Sequence, residues 1–173
     1  MRTPVAAVGS AVFFVVAPGV VAGVVPWWLT RWRVADPTPF WMIARVVGAL
    51  LVLAGLVALI RAFARFVLEG HGTPAPVAPT ERLVIGGLYR YVRNPMYVAV
   101  LAIIAGQGLA LGQLVLLWYA LIVWVAVAGF VRVYEEPTLV RQFGASYEAY
   151  RRAVPAWIPR LSPWEPDDRE GLA

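Results

Sequence analysis

No cysteine and no lysine occur in this 173-residue chain, and histidine occurs once, at His71. The first absence excludes disulfides, thiolate nucleophiles and cysteine-held metals. A single imidazole excludes a histidine metal cluster within one chain. Charge is also scarce: 14% of residues are charged and 61% are hydrophobic, where a soluble domain carries roughly 25% charge. A soluble domain of this size has too little interior for so much apolar surface, so lipid must be the solvent for much of it. All fifteen basic residues are arginine and the net charge is +5. They flank apolar segments, where anionic headgroups and topology account for them more simply than nucleic acid does.

What is present is a succession of apolar spans. The first runs from about Val5 to Trp28, long enough to cross a bilayer and too long for the apolar core of a signal peptide. Pro18 and Pro26 fall inside it, and Trp27, Trp28 and Trp32 with Arg31 and Arg33 form an interfacial belt at its end. The second span covers about Phe40 to Leu68 and exceeds the hydrocarbon thickness, so its last turns should emerge. Arg61, Arg65 and Glu69 share a face there, as a solvated helix end, an internal pairing or a phosphate contact. The prolines of residues 70–80 exclude helix, and His71 lies in that linker. The third span starts at Pro95 and ends near Leu111, with Gly106 and Gly108 permitting close packing. Gly112-Gln113 makes a tight uncharged turn into a fourth span, about Leu114 to Val133.

From Pro137 to Ala153 the pattern is amphipathic: Val140, Phe143, Tyr147, Tyr150 and Val154 recur at three- and four-residue steps. Gly144 interrupts it mildly. The expected architecture is a single all-α domain over 1–173, a polytopic bundle of about four transmembrane helices plus this amphipathic one, with residues 161–173 as a flexible tail. Five arginines in 61–93 and six from Arg132 onward, against none in the 112–113 turn, place both rich regions and both termini on the cytoplasmic side of a cell membrane.

Between the second and third spans lies Gly87-Leu-Tyr-Arg-Tyr-Val-Arg-Asn-Pro-Met-Tyr97, dense in aromatics and arginine. The hairpin of spans three and four brings it to the same membrane face as Glu135-Glu136. The Asn-Pro break leaves N–H groups free at a helix start, a site for anions. Two glutamates offer acceptors for an ammonium or for ribose hydroxyls. Tyr89, Tyr91 and Tyr97 offer faces for a cation or a purine. S-adenosylmethionine would use each of these. On residue chemistry alone, an interfacial belt with arginine-paired glutamates accounts for the same pattern.

Leu83-Val-Ile-Gly-Gly-Leu-Tyr-Arg-Tyr-Val-Arg-Asn-Pro-Met-Tyr97 resembles the cofactor-binding signature of the isoprenylcysteine carboxyl methyltransferase family: Gly-x-Tyr, three residues, then Arg-His-Pro-x-Tyr. As in that family, an apolar hairpin follows, then the pair Glu135-Glu136, then Phe143-Gly-Ala-Ser-Tyr-Glu-Ala-Tyr150, then Val154-Pro155. The resemblance covers about residues 81–160 and implies an integral-membrane methyltransferase that uses S-adenosyl-L-methionine. It implies cofactor contacts at Glu81, Arg82, Leu83 and Val84, often through backbone, and at Tyr89, Asn94, Pro95, Met96 and Tyr97. It places Glu135 near the cofactor's polar end, with Glu136 beside it. Arg93 either steers the cofactor carboxylate or holds the loop. Asn94 stands in place of the family's histidine, keeping a donor and an acceptor but losing titration. Glu81 stands where eukaryotic members often carry histidine. The eukaryotic substrate arginine falls at Val131, one position before Arg132, the substrate-side candidate here.

The implied reaction is in-line methyl transfer to a lipophilic small molecule or lipid-modified acceptor, a carboxylate by preference, entering from the membrane lipids. No catalytic side chain and no metal are assigned, because an activated sulfonium needs positioning and water exclusion rather than a base. A phospholipid N-methyltransferase or small-thiol methyltransferase is the nearest alternative. A non-enzymatic adaptor or transporter subunit is the alternative of another class, although the spans lack the mid-membrane charge usual in transporters.

Overall fold

The structure, a computed structural model, describes residues 16–35, 41–70 (backbone alone from 66) and 83–165. His71, Glu81, Arg82, the side chain of Glu69 and the start of the first span lie outside the described residues. Among the described residues five helices carry the fold: α1 (Val16–Thr30), α2 (Trp41–Gly70), α3 (Pro95–Leu111), α4 (Leu114–Phe130) and α5 (Glu136–Ala153). A 3₁₀ turn at Gly87–Arg90 leads into α3, and there is no strand among the described residues. The chain is a polytopic membrane helix bundle. At 30 residues α2 is roughly 45 Å long, against a hydrocarbon core of roughly 30 Å, so its end projects beyond the membrane as the sequence predicts.

Burial is inverted relative to a soluble bundle. Met42, Ile43, Leu50 and Ile60 on α2, and Trp118 and Ile122 on α4, are exposed, as lipid-facing residues must be. Small residues occupy the seam instead. A Cβ on Gly48 would stand 2.5 Å from Ala110 N, and one on Gly106 would stand 2.7 Å from Gly48 O, so α2 and α3 touch backbone to backbone. Gly55 meets Ile103 and Ala99 in the same way. Gly108 faces α4 instead, against Leu116 and Leu117. The core of Leu59, Ala99, Val100, Ile103, Ile104 and Leu116 fills the space these contacts enclose.

The hairpin turn is as expected. Gly112 caps α3 in the left-handed region, at φ 70°, with its N–H and that of Gln113 returned to Leu109 O and Gly108 O. The connection from α1 to α2 satisfies what that end leaves open: Trp41 Nε1 donates to Leu109 O (2.9 Å) and Ala35 N to Leu111 O (2.9 Å). At this same end Trp27, Trp28 and Trp32 are exposed, and the Arg31 guanidinium lies 4.4 Å over the Trp27 ring, in the manner of an interfacial belt.

Two π turns were not foreseen. Val20–Val24 widens α1 two residues ahead of Pro26, and Val131–Glu135 joins α4 to α5 two residues ahead of Pro137. A proline ring collides with the carbonyl four residues back and offers it no N–H; those carbonyls, Ala22 and Val133, both lie inside the wide turns. In α1 the orphaned acceptors are satisfied from other helices. Gln107 Nε2 donates to Ala22 O (2.7 Å) and the Tyr119 hydroxyl to Val21 O (3.0 Å).

Three further expectations are corrected. The fourth span and the amphipathic helix run on as one helix from Leu114 to Gly144, since the wide turn at Val131–Glu135 makes room for Pro137. Gly144 is a true kink, at φ 51° and ψ −127°, a conformation glycine alone enters cheaply. Residues 161–165, expected to begin a loose tail, are tied down: Trp164 N donates to Arg90 O (2.9 Å) and its ring packs on Tyr150, centroids 5.5 Å apart.

Gly48→Val should destabilise the bundle by about 1–3 kcal/mol, the usual cost of overpacking, whereas Gly129→Ala, whose Cβ meets nothing within 4 Å, should leave thermal unfolding in detergent unchanged. Equal unfolding temperatures for the two variants would refute the close α2–α3 contact.

Candidate active site at the open end of the hairpin

The open ends of α3 and α4 meet at the face opposite the Gly112 turn. Pro95 starts α3 with its ring buried, and Met96 packs down between the main core and the smaller cluster of Ala62, Val84 and Tyr89. One turn of helix then points Tyr97 across to α4. Its hydroxyl donates to Glu135 Oε1 at 2.5 Å. The neighbouring Glu136 accepts from Arg93 Nη1 at 2.7 Å, in a pair whose side chains are 12% and 15% exposed, and its other oxygen lies 3.6 Å from Arg151 Nη1. The π turn sets this arrangement: an extra residue in that turn rotates the adjacent glutamates so that one meets α3 and the other meets the loop before it.

Arg93 is engaged on every side. Besides Glu136 its Nη1 donates to the Tyr147 hydroxyl (3.2 Å), its Nε donates to Val154 O (2.9 Å), and its backbone N–H donates to Pro155 O (2.9 Å). These are the contacts of the loop-holding alternative. Asn94 turns its side chain away from α3 and donates from Nδ2 to Ala156 O (3.2 Å), leaving the helix without a side-chain cap. The N–H groups of the first turn therefore keep their partial positive charge for an incoming acceptor.

Tyr89 is buried and presents its carbonyl to the Tyr150 hydroxyl at 2.7 Å. Burial pushes the Tyr150 phenol well above its ordinary range, so it remains a donor. Leu83, Val84 and Ile85 form an irregular segment whose side chains alternate: Leu83 and Ile85 pack on the Tyr147, Tyr150 and Val154 cluster, and Val84 packs on Ala62 of α2. The backbone N–H and C=O groups of these three residues have no hydrogen bond among the described residues. Unpaired backbone in a partly buried segment calls for a partner. Arg132, the substrate-side candidate, is exposed on the same wide turn as Glu135 and makes none of these contacts.

Sequence reasoning left out Tyr147, Tyr150 and the carbonyls of Val154 and Ala156. The first two were visible as apolar positions of an amphipathic helix and as part of the family-like stretch 143–150, with no role given to either. The carbonyls carry no sequence signal at all, since any residue supplies one.

The profile of the family described as phospholipid methyltransferase matches residues 43–146, more than half of the chain. The chain belongs to this family. Among curated relatives, the protein-S-isoprenylcysteine O-methyltransferase of Schizosaccharomyces pombe is 41% identical over 80 residues, 46% of this chain and 34% of that protein. Methanethiol S-methyltransferase 2 of Bradyrhizobium diazoefficiens is 31% identical over 146 residues, 76% of this chain and 53% of that protein. The chain thus spans about a third and about half of the lengths of these relatives. No solved structure matches it significantly.

Within this family member, Arg93→Ala should cost about 2–4 kcal/mol, because it leaves the part-buried Glu136 carboxylate with only the more distant Arg151. The double variant Arg93→Ala/Glu136→Gln should lose clearly less than the sum of the single losses when unfolding is followed by tryptophan fluorescence. A loss within about 0.5 kcal/mol for Arg93→Ala, as for an ordinary surface change, would contradict the clamp.

Proposed function

We propose that the protein is an integral-membrane methyltransferase that uses S-adenosyl-L-methionine and methylates a lipophilic acceptor. The observation that carries this is the Tyr97–Glu135 hydrogen bond, which joins the Asn-Pro corner to the glutamate pair across the hairpin. The groups around it suit the donor's chemistry. Glu135 Oε2 is an acceptor for an ammonium or ribose hydroxyls. The uncapped start of α3 suits a carboxylate. The unpaired backbone of Leu83, Val84 and Ile85 matches the donor–acceptor edge of an adenine. Tyr89, Asn94, Pro95 and Met96 line or shape the same corner, while Glu136 and Arg93 hold it; the contacts implied for Glu81 and Arg82 fall outside the described residues.

When bound, the donor supplies an already activated methyl group. The chain's residues therefore bind, orient and exclude water, and none of them is assigned as a base. Arg93 and Glu136 fix the corner so that Tyr97 and Glu135 hold one geometry. The favoured acceptor is a carboxylate on a lipophilic tail, reaching the corner from the membrane while the donor enters from the cytoplasmic side. A thiolate is the second candidate, supported by the methanethiol S-methyltransferase, the relative aligned with more of this chain. Both acceptors arrive as anions and need no proton removed.

A hydrogen bond to a charged group contributes about 1.5–3 kcal/mol, so Glu135→Gln should weaken S-adenosylmethionine binding about tenfold or more by calorimetry in detergent. Glu148→Gln, on the exposed side of α5, should bind as wild type does. Unchanged affinity for Glu135→Gln would sink the assignment. Labelled methyl transfer to a prenylcysteine, a lipophilic thiol or a phospholipid identifies the acceptor.

A further inference from the structure

Beyond α5 the chain continues as a strap from Val154 to Glu165, with its two faces sharply different. Its polar face is spent on the corner. Arg93 N donates to Pro155 O, Arg160 N to Tyr91 O and Trp164 N to Arg90 O, each at 2.9 Å. Pro155, Pro159 and Pro163 carry no N–H, so the strap presents few donors to its surroundings. The Arg160 guanidinium is turned back onto Ala153 O at 3.0 Å rather than outward.

The other face is apolar and uncovered. Ile158 is 78% exposed and Leu161 is 104% exposed. Trp157 meets Trp124 edge to face, ring centroids 6.3 Å apart. Trp124 belongs to α4, six residues before its last residue Phe130 and so roughly 9 Å inside the span. It is exposed on α4, on the same face as Leu121 one turn away. A strap residue packed edge-on against it is continuous with surface that the membrane already covers.

We propose that residues 156–161 are a membrane-inserted loop: Trp157, Ile158 and Leu161 enter the acyl-chain boundary, and the bilayer is the partner that covers them. Tryptophan favours that boundary, where an apolar ring and a polar N–H are both accommodated. The exposed Arg151 and Arg152, at the end of α5, stand where anionic headgroups meet such a loop. Trp157, Ile158 and Leu161 carry no charge, and the Arg160 guanidinium is held at Ala153 O, so no charge need enter the acyl chains. The loop thereby fastens the strap, and through it the corner at Arg93, to the lipid.

The absence of cysteine makes the test direct. Ile158→Cys and Leu161→Cys proteins, each carrying one nitroxide label, are placed in nanodiscs of phosphatidylcholine and phosphatidylglycerol. Glu148→Cys serves as the water-facing control. Power saturation is compared between oxygen, which concentrates in acyl chains, and a water-soluble nickel chelate. Insertion predicts that oxygen dominates at both 158 and 161, and that the chelate dominates at 148. Chelate-dominated relaxation at either loop position would overturn the proposal. Dipolar broadening between labels on separate copies would assign the face to self-association and would overturn it equally.

Discussion

The guanidinium of Arg93 sits where three otherwise separate pieces of chain must agree: the corner before α3, the start of α5 and the strap beyond it. Its partners are a carboxylate on Glu136, a phenol on Tyr147 and a carbonyl on Val154. None of these is adjacent to it in sequence, and none has an equivalent cationic partner nearby except the more distant Arg151. In a setting of low dielectric, a half-satisfied network is worse than none. The three pieces are therefore held together or not at all, and the position of Tyr97 against Glu135 follows from that of Arg93.

A second constraint comes from lipid, which offers no hydrogen bonds to a chain with prolines in its spans. At Pro26 the consequence is a wide turn whose bare carbonyls are met by Gln107 and Tyr119 from other helices. At Pro137 the same device falls at the membrane edge and acquires a different use, since the added residue orients two consecutive glutamates toward different partners. The same local steric problem thus knits the bundle at one end and shapes a site at the other.

Features governed by local chemistry were legible in the sequence. Pro95 marked the start of α3, Gly112 marked its end, and the period of Val140, Tyr147 and Tyr150 marked the buried face of α5. Motif order brought the Asn-Pro corner and the glutamate pair to one face, where Tyr97 and Glu135 meet. What escaped depended on distant partners. Gly48 and Gly55 look like any glycine in an apolar run until α3 is laid against them. The strap escaped because its bonds run through backbone groups common to every residue. The π turns escaped because hydropathy does not register one residue more or less per turn.

The strap also imposes an order on how the protein is made. The groups that complete Arg90 and Arg93 lie 74 and 61 residues further along the chain. A ribosome must therefore deliver the whole helical hairpin, and then α5, before these arginines find their final partners. A nascent chain stopped at Ala153 would already own α1 to α4, yet its corner would still be open. Insertion into the bilayer and completion of the site are thus separate events in time, the second waiting on a short stretch of tryptophan and proline.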